Sequence, residues 1–547
     1  LKAVGEGKCE KIFYLCAKNM TATVARDTMH LFYEQGLNLR SVSITAKDKI
    51  CPLEKRNCDE CPYGDNYYGR MRPALYELIN ANVELDKECF IQAGEAYTLC
   101  PFELSLDASL YASLIICDYN YVFDPSVYLK RYFEDKGNYV FLIDEAHNLV
   151  DRAREMYSGD LYESEIVLLN SLLKHGSPSL NKSFQALLKT LKRLSEESGR
   201  KLCSQKEPMN DLYLLVNRVI EEVDAYLQLQ EEIERKDDVM EIYFALIDFR
   251  RVYEFYDENF ITWYQEEEDG CHVRMYCMNP ANQIQERISH GIATVYFSAT
   301  LSPSLYYAAL LGEQEKARRL SLPSIFHQDQ LALLIHSGIS TRYQHRQASL
   351  VPIVNAIYHS IHPKAGNYII FFPSYRYMEE CAALFEKYYP SIPLHLQKSN
   401  MNEEQKHKFL MHFEKNDGWQ LYFCVLGGMF AEGIDFRGER LIGAVIIGVG
   451  LPQINPESDF VRDHFNAQGT DGYHYAYTFP GMNKVLQAMG RVIRTKKDKG
   501  ILVLIDDRYA SPLYRSLMPP HYAHGRFIRN NLEIESLLTS FWNSSQD

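Results

Sequence analysis

Residues 139–147 read YVFLIDEAH: five apolar or aromatic residues run straight into Asp144-Glu145-Ala146-His147. A run so short and so apolar suits a strand buried on both faces, the kind found in parallel sheets covered by helices. Similar runs recur: KIFYLC at 11–16, ATVYFSAT at 293–300, Tyr368–Phe372, Leu421–Val425, Ala444–Gly448 and Ile501–Ile505. A further apolar stretch, SLIICDYNYVF, precedes Asp124-Pro125. Helical segments lie between, the first over about Met20 to Gln35. Alternation of this kind predicts an α/β chain with doubly wound parallel sheets. In such sheets chemistry collects at the carboxyl ends of the strands. The carboxylate pair after residue 143 is therefore the first candidate site.

Length and charge divide the chain. At about 100–200 residues per domain, 547 residues predict three or four domains. The net charge is −14, and residues 151–280 carry 26 acidic against 16 basic side chains, a net of −10. Such a local excess marks a separate domain with a solvated helical surface. The run LYLLVNRVIEEVDAYLQLQEEIE has apolar residues at three- and four-residue spacing, and no strong strand signal interrupts it. Residues 151–285 are accordingly read as an inserted helical domain. The flanks are near neutral, so basic grooves there are compatible with the composition. No apolar run approaches the roughly 18 residues that span a bilayer, and no signal-peptide pattern opens the chain. A membrane protein and a secreted disulfide mini-protein are both disfavoured. The expected compartment is the cytoplasm, with the nucleoid in a bacterial cell.

Five of the 13 cysteines, Cys51, Cys58, Cys61, Cys89 and Cys100, fall within fifty residues. An odd total without a secretory signal suggests metal more than disulfides. The spacing Cys51-x6-Cys58-x2-Cys61-x38-Cys100, with Pro after Cys51, Cys61 and Cys100, suits zinc or an iron–sulfur cluster and does not choose between them. Cys89 is followed by Phe and reads as the spare thiol.

At the end of its strand, Asp144 can hold Mg²⁺ and Glu145 can orient and deprotonate an attacking water. In Gln487-Ala-Met-Gly490-Arg491-Val-Ile-Arg494, spacings of three, four and seven predict one helix face with two guanidinium groups suited to a phosphate. Ala431-Glu432-Gly433-Ile434-Asp435-Phe436 follows the strand LYFCVL, and Ser298-Ala299-Thr300 ends its own strand. Each of these is weak alone. Arg-x-x-Arg also decorates ordinary exposed helices, and small polar turns commonly end strands. Tyr67-Tyr68-Gly69-Arg70-Met71-Arg72 and Tyr375-Arg376-Tyr377 have the aromatic and basic make-up that grips single strands. With 39 tyrosines in the chain, each patch also fits plain packing.

Taken in order, VFLIDEAHNL, YFSATLSP, AEGIDF and QAMGRVIR resemble the second, third, fifth and sixth motifs of the XPD/DinG family of superfamily 2 DNA helicases. FFPSYRYMEE resembles the fourth, and LCAKNMTATVARD resembles motif Ia, with Cys16 and Asn19 where Thr is more usual. The similarity runs from about residue 11 to Tyr509; the helical insertion corresponds only in position and character. The resemblance implies two RecA-like motor domains with ATP and Mg²⁺ between them. Asp144 would hold the metal and Glu145 would act as base. His147 and Thr300 would couple nucleotide state to DNA. Gln487, Arg491 and Arg494 would reach the phosphates, and Gly433 and Asp435 would line the same site. The resemblance also resolves the metal as a [4Fe–4S] cluster on Cys51, Cys58, Cys61 and Cys100. It implies 5′-to-3′ movement on single-stranded DNA and unwinding of forked duplex DNA, in repair or replication-associated processing. The iron–sulfur domain would lie near the fork and the helical insertion would close over the strand as an arch. The expected division is first motor at 1–48, 102–150 and 286–325, iron–sulfur domain at 49–101, arch at 151–285 and second motor at 326–547.

The family's phosphate-binding loop, G-x-x-x-x-G-K-[ST], is the missing part. Gly5-Glu6-Gly7-Lys8-Cys9 is a poor substitute: its first Gly is wrongly spaced, Cys9 replaces the metal-binding hydroxyl, and a strand follows where a helix must begin. It reads instead as the turn leaving that helix. The loop is then expected upstream of Leu1, and this chain alone is expected to hydrolyse ATP poorly. Two rivals stand beside the helicase. One is a catalytically inactive iron–sulfur DNA-binding scaffold derived from a helicase, against which the intact DEAH and GRxxR motifs argue. The other is a nuclease with a helicase-like body. No metal-nuclease carboxylate set is visible here, and a nuclease domain upstream stays open.

Overall fold

The computed structural model describes residues 1–17, 19–58, 60–173, 176–229, 233–312, 317–414, 418–428, 430 and 438–544; the side chains of residues 19–21 and 403 are outside this description. The chain divides into two units, Leu1–Ser298 with Ala308–Glu315, and Ala299–Tyr307 with Lys316–Asp547.

The first unit opens with strands β1 (Lys11–Cys16), β2 (Ser41–Ser43), β3 (Glu84–Leu85), β4 (Leu114–Asp118) and β5 (Tyr139–Asp144). Strands β6 (Gly159–Tyr162), β7 (Cys203–Gln205), β8 (Phe260–Glu267) and β9 (Gly270–Cys277) belong to the insertion, after which β10 (Ala293–Phe297) returns to the main sheet. That sheet has the order β10-β5-β1-β4-β2-β3, and every pairing in it is parallel. Phe13, Leu15, Phe141 and Ile143 are fully buried, and the Phe13 ring meets Tyr132, Phe133, Tyr139 and Phe141 with centroids 5.1–5.8 Å apart. The chain leaves β1 toward β2 on one side and leaves β5 toward β10 on the other. The neighbours β1 and β5 therefore flank the point where the winding reverses, where ligands bind in open α/β sheets.

The insertion is not purely helical, which corrects the sequence reading. Its long helices are present, including Pro178–Ser198, Asn210–Leu229 and Lys236–Glu254. Asn210–Leu229 buries Leu212, Val216, Val219, Ile220 and Val223, the expected one-sided stripe. Beside them lies an antiparallel sheet in the order β6-β9-β8-β7. The missed signal is Asp269-Gly270: Glu267 pairs with Gly270 across a two-residue turn, and Gly270 takes φ 117°, which a side chain would resist. The flanking Ile261-Thr262-Trp263-Tyr264 and Val273 suit a half-buried sheet face.

The second unit carries β11 (Leu331–His336), β12 (Asn367–Phe372), β13 (Leu394–Leu396), β14 (Gln420–Val425), β15 (Gly443–Ile447), β16 (Gly500–Ile505) and β17 (Arg526–Ile528). All pairings are parallel, in the order β13-β14-β12-β15-β16-β11-β17. Alternate residues feed two cores. Ile369, Phe371, Ala444, Ile446, Leu502 and Leu504 face one, and Ile370, Phe372, Val445, Ile447, Val503 and Ile505 face the other. Strands β11, β13 and β17 are additions to the sequence reading.

Just past β16, the fully buried Asp506 accepts from the Arg508 guanidinium at 2.7 and 2.9 Å, from the Arg508 N–H at 2.8 Å, and from the Thr341 hydroxyl. Burial pushes the Asp506 carboxyl up, but the Arg508 and Thr341 bonds outweigh it and leave it below its ordinary value. Removing one partner strands the other charge, so Asp506→Ala is expected to cost about 3–5 kcal/mol in urea unfolding. The wild-type contribution should be complete above the unfolded carboxylate pKa of about 4 and should fade as pH falls through the depressed folded value. An unchanged unfolding midpoint would contradict this.

Candidate functional site

Strand β5 delivers Asp144 to the switch point beside β1. There Asp144 Oδ2 accepts from the Tyr14 hydroxyl at 2.8 Å, and Oδ1 accepts from the Glu145 N–H at 2.8 Å. Burial raises the Asp144 pKa and the Glu145 charge adds to it, against the two hydrogen bonds; the net shift is upward. A carboxylate under that pressure gains from a nearby cation. Glu145 has φ 48°, a region that non-glycine residues seldom enter. Strain of about 1–3 kcal/mol persists only where the surroundings fix it. Here the Tyr119 hydroxyl donates to the Asp144 carbonyl and to that of Glu145 (3.0 Å), and the Ala146 N–H donates to the Phe297 carbonyl at 3.2 Å.

The turn aims the Glu145 carboxylate at the end of β10. Ser298 Oγ donates to Glu145 Oε2 at 2.9 Å, and His147 Nδ1 lies 2.7 Å from the same hydroxyl and 3.4 Å from Oε2. Ser298 has one proton; with it on Glu145, Nδ1 of His147 is the donor to Ser298. His147 is buried and opens the helix His147–Met156, while the Glu145 side chain keeps 38% of its surface exposed. This constellation can hold a cation on one carboxylate and a water on the other. Sequence reasoning found Asp144, Glu145 and His147 but not Tyr14, Tyr119 or the role of Ser298. A tyrosine inside the apolar run KIFYLC was the available signal for Tyr14.

Gly5-Glu6-Gly7-Lys8 is the end of a helix, Lys2–Gly5. Gly7, at φ 67°, donates to the Val4 carbonyl at 2.9 Å, and the Lys8 N–H donates to the Ala3 carbonyl at 2.8 Å. These paired bonds are a Schellman terminus, so the amides are spent on helix carbonyls and do not form a phosphate cradle. Among the described residues β10 is paired on one side only, and Ile292 and Val295 there are exposed.

In the second unit, the single helix face predicted for Gln487, Gly490, Arg491 and Arg494 is not what forms. The helix Phe479–Met489 carries Gln487, buried, and stops at Gly490; Arg491 and Arg494 lie on the following loop. Two interactions end the helix. Val492 enters the core, and the half-exposed loop beyond it is gathered by Asp498, whose carboxylate accepts from the N–H groups of Arg494 and Thr495, both at 2.7 Å, and from the Thr495 hydroxyl at 2.6 Å. Gln330 Nε2 adds bonds to the carbonyls of Thr495 and Asp498 at 3.1 and 2.7 Å. A carboxylate four residues on offers these amides a stronger acceptor than a helix carbonyl. Thr300 is buried. Gly433 and Asp435 lie outside the described residues.

The cysteine-rich segment forms a small helical subdomain. Cys51 ends the helix Lys47–Ile50, the Cys61 carbonyl accepts from Gly64 and Asp65 at 2.9 and 3.0 Å, and Cys100 caps the helix Pro101–Ala108. The Cys100 N–H bonds the Tyr63 carbonyl at 2.8 Å, and Lys47 pairs with Glu103 at 3.7 Å, so the elements bearing Cys51, Cys61 and Cys100 are tied together. Cys58 is exposed in a cleft shared with Cys61, Pro62 and Gly64. Among the described residues no three His, Cys, Asp or Glu side chains converge as a metal-holding group. Seven other cysteines, Cys9, Cys16, Cys117, Cys271, Cys277, Cys381 and Cys424, are buried core thiols.

Both aromatic patches are smaller than the sequence suggested. Tyr67 is buried with its hydroxyl on Asp107 at 2.9 Å, and Arg70 is committed to the carbonyls of Pro62 and Asp65. What remains open is a stripe on the helix Tyr67–Ala81: Tyr68 at 74% exposure, Arg72, and Tyr76 at 71%, one residue per turn. Tyr377 is a core residue bonded to Ser349 at 2.6 Å, which removes it from the second patch, and Arg376 pairs with Glu380 at 3.1 Å.

The chain matches the DEAD_2 family over residues 29–166 and the Helicase C-terminal domain family over residues 357–525. It is 22% identical to the ATP-dependent DNA helicase CHL1 of Candida glabrata over 91% of this chain and 66% of that one. It is 23% identical to the Fanconi anemia group J protein homolog of Gallus gallus over 86% and 45%, and 22% identical to the general transcription and DNA repair factor IIH helicase subunit XPD/RAD3 of Saccharomyces cerevisiae over 88% and 72%. The chain thus spans less than two thirds of the length of the first two. Among solved structures, one titled XPD_Helicase superposes with a TM-score of 0.57 at 17% identity, covering 95% of this chain and 92% of that one. The S. tokodaii Xpd4 structure superposes at 0.54 with 14% identity, covering 96% and 99%. The common fold is two RecA-like domains, the first interrupted by two insertions. No described helix is long and apolar enough to cross a membrane.

The Asp498 clamp makes a prediction independent of activity. Asp498→Ala removes a charged acceptor from three donors and should destabilise the second unit by about 3 kcal/mol in urea unfolding. Retention of full stability would show that the loop holds its shape without the carboxylate.

Proposed function

We propose, from the premise that this chain belongs to the XPD/DinG-type family of superfamily 2 helicases, that it is the motor of an ATP-dependent DNA helicase. The observation that carries the reading is the Asp144–Glu145 turn: two carboxylates at the switch point of a parallel sheet, one pressed toward a cation and the other held toward solvent by Ser298 and His147. Asp144 takes the Mg²⁺ of Mg–ATP. Glu145 orients the attacking water and accepts its proton on a carboxylate oxygen. Gln487, Arg491 and Arg494 donate to the phosphates, and Asp435 and Gly433 serve the same nucleotide. The open side of β10 suits a further parallel strand, which would bring a phosphate-binding loop beside Asp144. His147 and Thr300 link the nucleotide to the strand.

The substrate is single-stranded DNA and, at a junction, forked duplex. Movement runs 5′-to-3′ and serves DNA repair or replication-associated processing; family resemblance supports both statements, and a DNA repair factor subunit is among the relatives. Tyr68 and Tyr76 give the strand stacking surfaces and Arg72 gives it a phosphate contact.

Cys51, Cys58, Cys61 and Cys100 hold a [4Fe–4S] cluster. What supports this is the chemistry of the donors, four thiols on one subdomain with the backbone bond from Cys100 to Tyr63 joining the distant cysteine to the close pair; the described side chains do not themselves converge as a metal-holding group. Bound there, the cluster supplies a cross-link through four thiolate ligands. The subdomain's own residues then present the Tyr68 stripe.

Three outcomes test this reading in the protein that carries the chain. Glu145→Gln should abolish ATP turnover while ATP binding stays within about threefold; normal turnover would remove Glu145 from its role. Anaerobic preparations should be brown and contain iron and sulfide, and Cys100→Ser should lose the colour; a colourless zinc protein would refute the cluster. Arg72→Ala should lower the salt slope of single-strand binding by about 0.7 on logarithmic axes, and Tyr68→Ala with Tyr76→Ala should weaken binding at every sequence. Unaltered binding would exclude the stripe.

A further inference from the structure

The inserted domain begins and ends at one place in the first unit. The helix His147–Met156 hands the chain to β6, and β9 returns it. Ser158 Oγ donates to the Arg154 carbonyl at 2.7 Å and accepts from the Cys277 N–H at 3.0 Å, and Arg154 Nε donates to the Met278 carbonyl at 3.1 Å. A charged layer lies just beyond this root. In register, Asp160 pairs with Arg274 and Tyr162 with His272, while Trp263 and Gln265 of β8 pair with Arg274 and His272. The two-residue period of a strand puts these side chains on one face of the sheet, together with Glu267.

His272 is buried and has a carboxylate on each ring nitrogen. Glu267 Oε1 lies 3.0 Å from Nδ1, and Asp160 Oδ1 lies 2.8 Å from Nε2. A neutral imidazole has one N–H, so one of these contacts would set a ring lone pair against a carboxylate; only the imidazolium donates to both. Tyr162 stacks on the ring at 4.2 Å and offers its π-face to that charge, and Trp263 makes a T-shaped contact at 4.7 Å. Arg274 extends the layer, donating to Asp160 Oδ2 at 2.6 Å and to Glu155 Oε2, in the last turn of the helix His147–Met156, at 2.8 Å. From the helix Glu163–Leu172, Glu165 lies close enough to feel the charges of Glu241, Asp160 and His272, and Glu163 accepts from the Cys271 N–H at 2.9 Å. The helix Pro178–Ser198 buries only apolar residues and serines. Burial opposes the charge on His272, but the hydrogen bonds and charges of Asp160 and Glu267 outweigh it, and the net direction of its pKa is upward.

We propose that His272 is a proton-operated brace: as an imidazolium it joins Glu267 of β8 to Asp160 of β6, and through Asp160 and Arg274 it fixes the root of the inserted domain to the helix that begins at His147. Nothing in this depends on the helicase reading. With the proton bound, two cations face Glu155, Asp160 and Glu267. When the proton leaves to solvent, Arg274 is the cation left to the three carboxylates, and one ring nitrogen turns from donor to acceptor. Glu267 or Asp160, both partly exposed, must then swing away toward water. The folded pKa lies above the unfolded value of about 6.5, so the brace is complete below that pH and is lost as pH rises through the folded value. The root of the inserted domain is stiffest on the acid side of this window and loosens on the alkaline side.

The test uses the protein that carries this chain, with histidine labelled with carbon-13 and His272→Gln to identify the His272 signal. The ring should titrate with a midpoint above 6.5, and Glu267→Gln, which removes one charge and keeps an oxygen, should lower that midpoint. Should His272→Gln not fold, the signal is the one whose midpoint moves in Glu267→Gln. A wild-type midpoint at or below 6.5, or no signal that moves, would overturn the proposal. Hydrogen exchange, corrected for the intrinsic effect of pH, reads the brace itself. Residues 159–162 and 270–277 should lose about fivefold or more of their protection, relative to β4, between about pH 6 and a pH above the measured midpoint. His272→Gln should show the lower protection at both pH values, and Glu267→Gln should lose it at a lower pH than wild type. Protection that is the same at both pH values in wild type would overturn the brace.

Discussion

The left-handed turn at Glu145 is the constraint on which the site depends. Its strain is tolerated because both neighbouring strands and the turn after β4 spend polar groups on it: Tyr14 from β1, the end of β10 through the Phe297 carbonyl and Ser298, and Tyr119 just past β4. An ordinary extended exit from β5 would leave Asp144 in place but carry the Glu145 carboxylate elsewhere. The sheet order therefore matters as much as the motif. Only with β1 and β10 on either side of β5 can tyrosine and serine hydroxyls reach the two carboxylates from opposite flanks.

Much of the architecture was legible because fully buried strands announce themselves. KIFYLC is β1 residue for residue, and the predicted strand at 139–143 lacks only Asp144. The parallel, doubly wound reading followed from alternation with helices, and both sheets have it. The strands that escaped are those whose signal is weak by nature. Three-residue edges such as β13 and β17 have no period to read, and in the β8–β9 hairpin, β8, whose first four residues are all buried, breaks the alternation that marks a strand within a region dominated by long amphipathic helices. Asp269-Gly270 marked that hairpin and was overridden by composition.

The candidate site was legible in its acids and not in its geometry. Asp144, Glu145 and His147 could be named from a tetrapeptide, whereas Tyr14, Tyr119 and Ser298 are ordinary residues that acquire a role from which strands are neighbours. The Gln487–Arg494 spacing misled for a physical reason. Helical periodicity presumes that the backbone amides stay with the helix, and Asp498 takes two of them away. Arg491 and Arg494 are thereby placed on a clamped loop and not on the helix face. Tyr67 and Tyr377 show the same limit from the other side. Both have the composition of a nucleic-acid surface and both are core residues. The acidity of the chain proved local as well, carried chiefly by the inserted domain and its solvated helices, so it bears little on the surroundings of the two parallel sheets.

The central claim is that the Asp144 turn is a metal–nucleotide site. Its most direct measurement is electron paramagnetic resonance of Mn²⁺ titrated into the protein that carries this chain, with a non-hydrolysable ATP analogue present. The account predicts one nucleotide-dependent Mn²⁺ per chain, with affinity lowered at least tenfold by Asp144→Asn and little changed by Tyr68→Ala. Equal Mn²⁺ affinity in wild type and Asp144→Asn would contradict it.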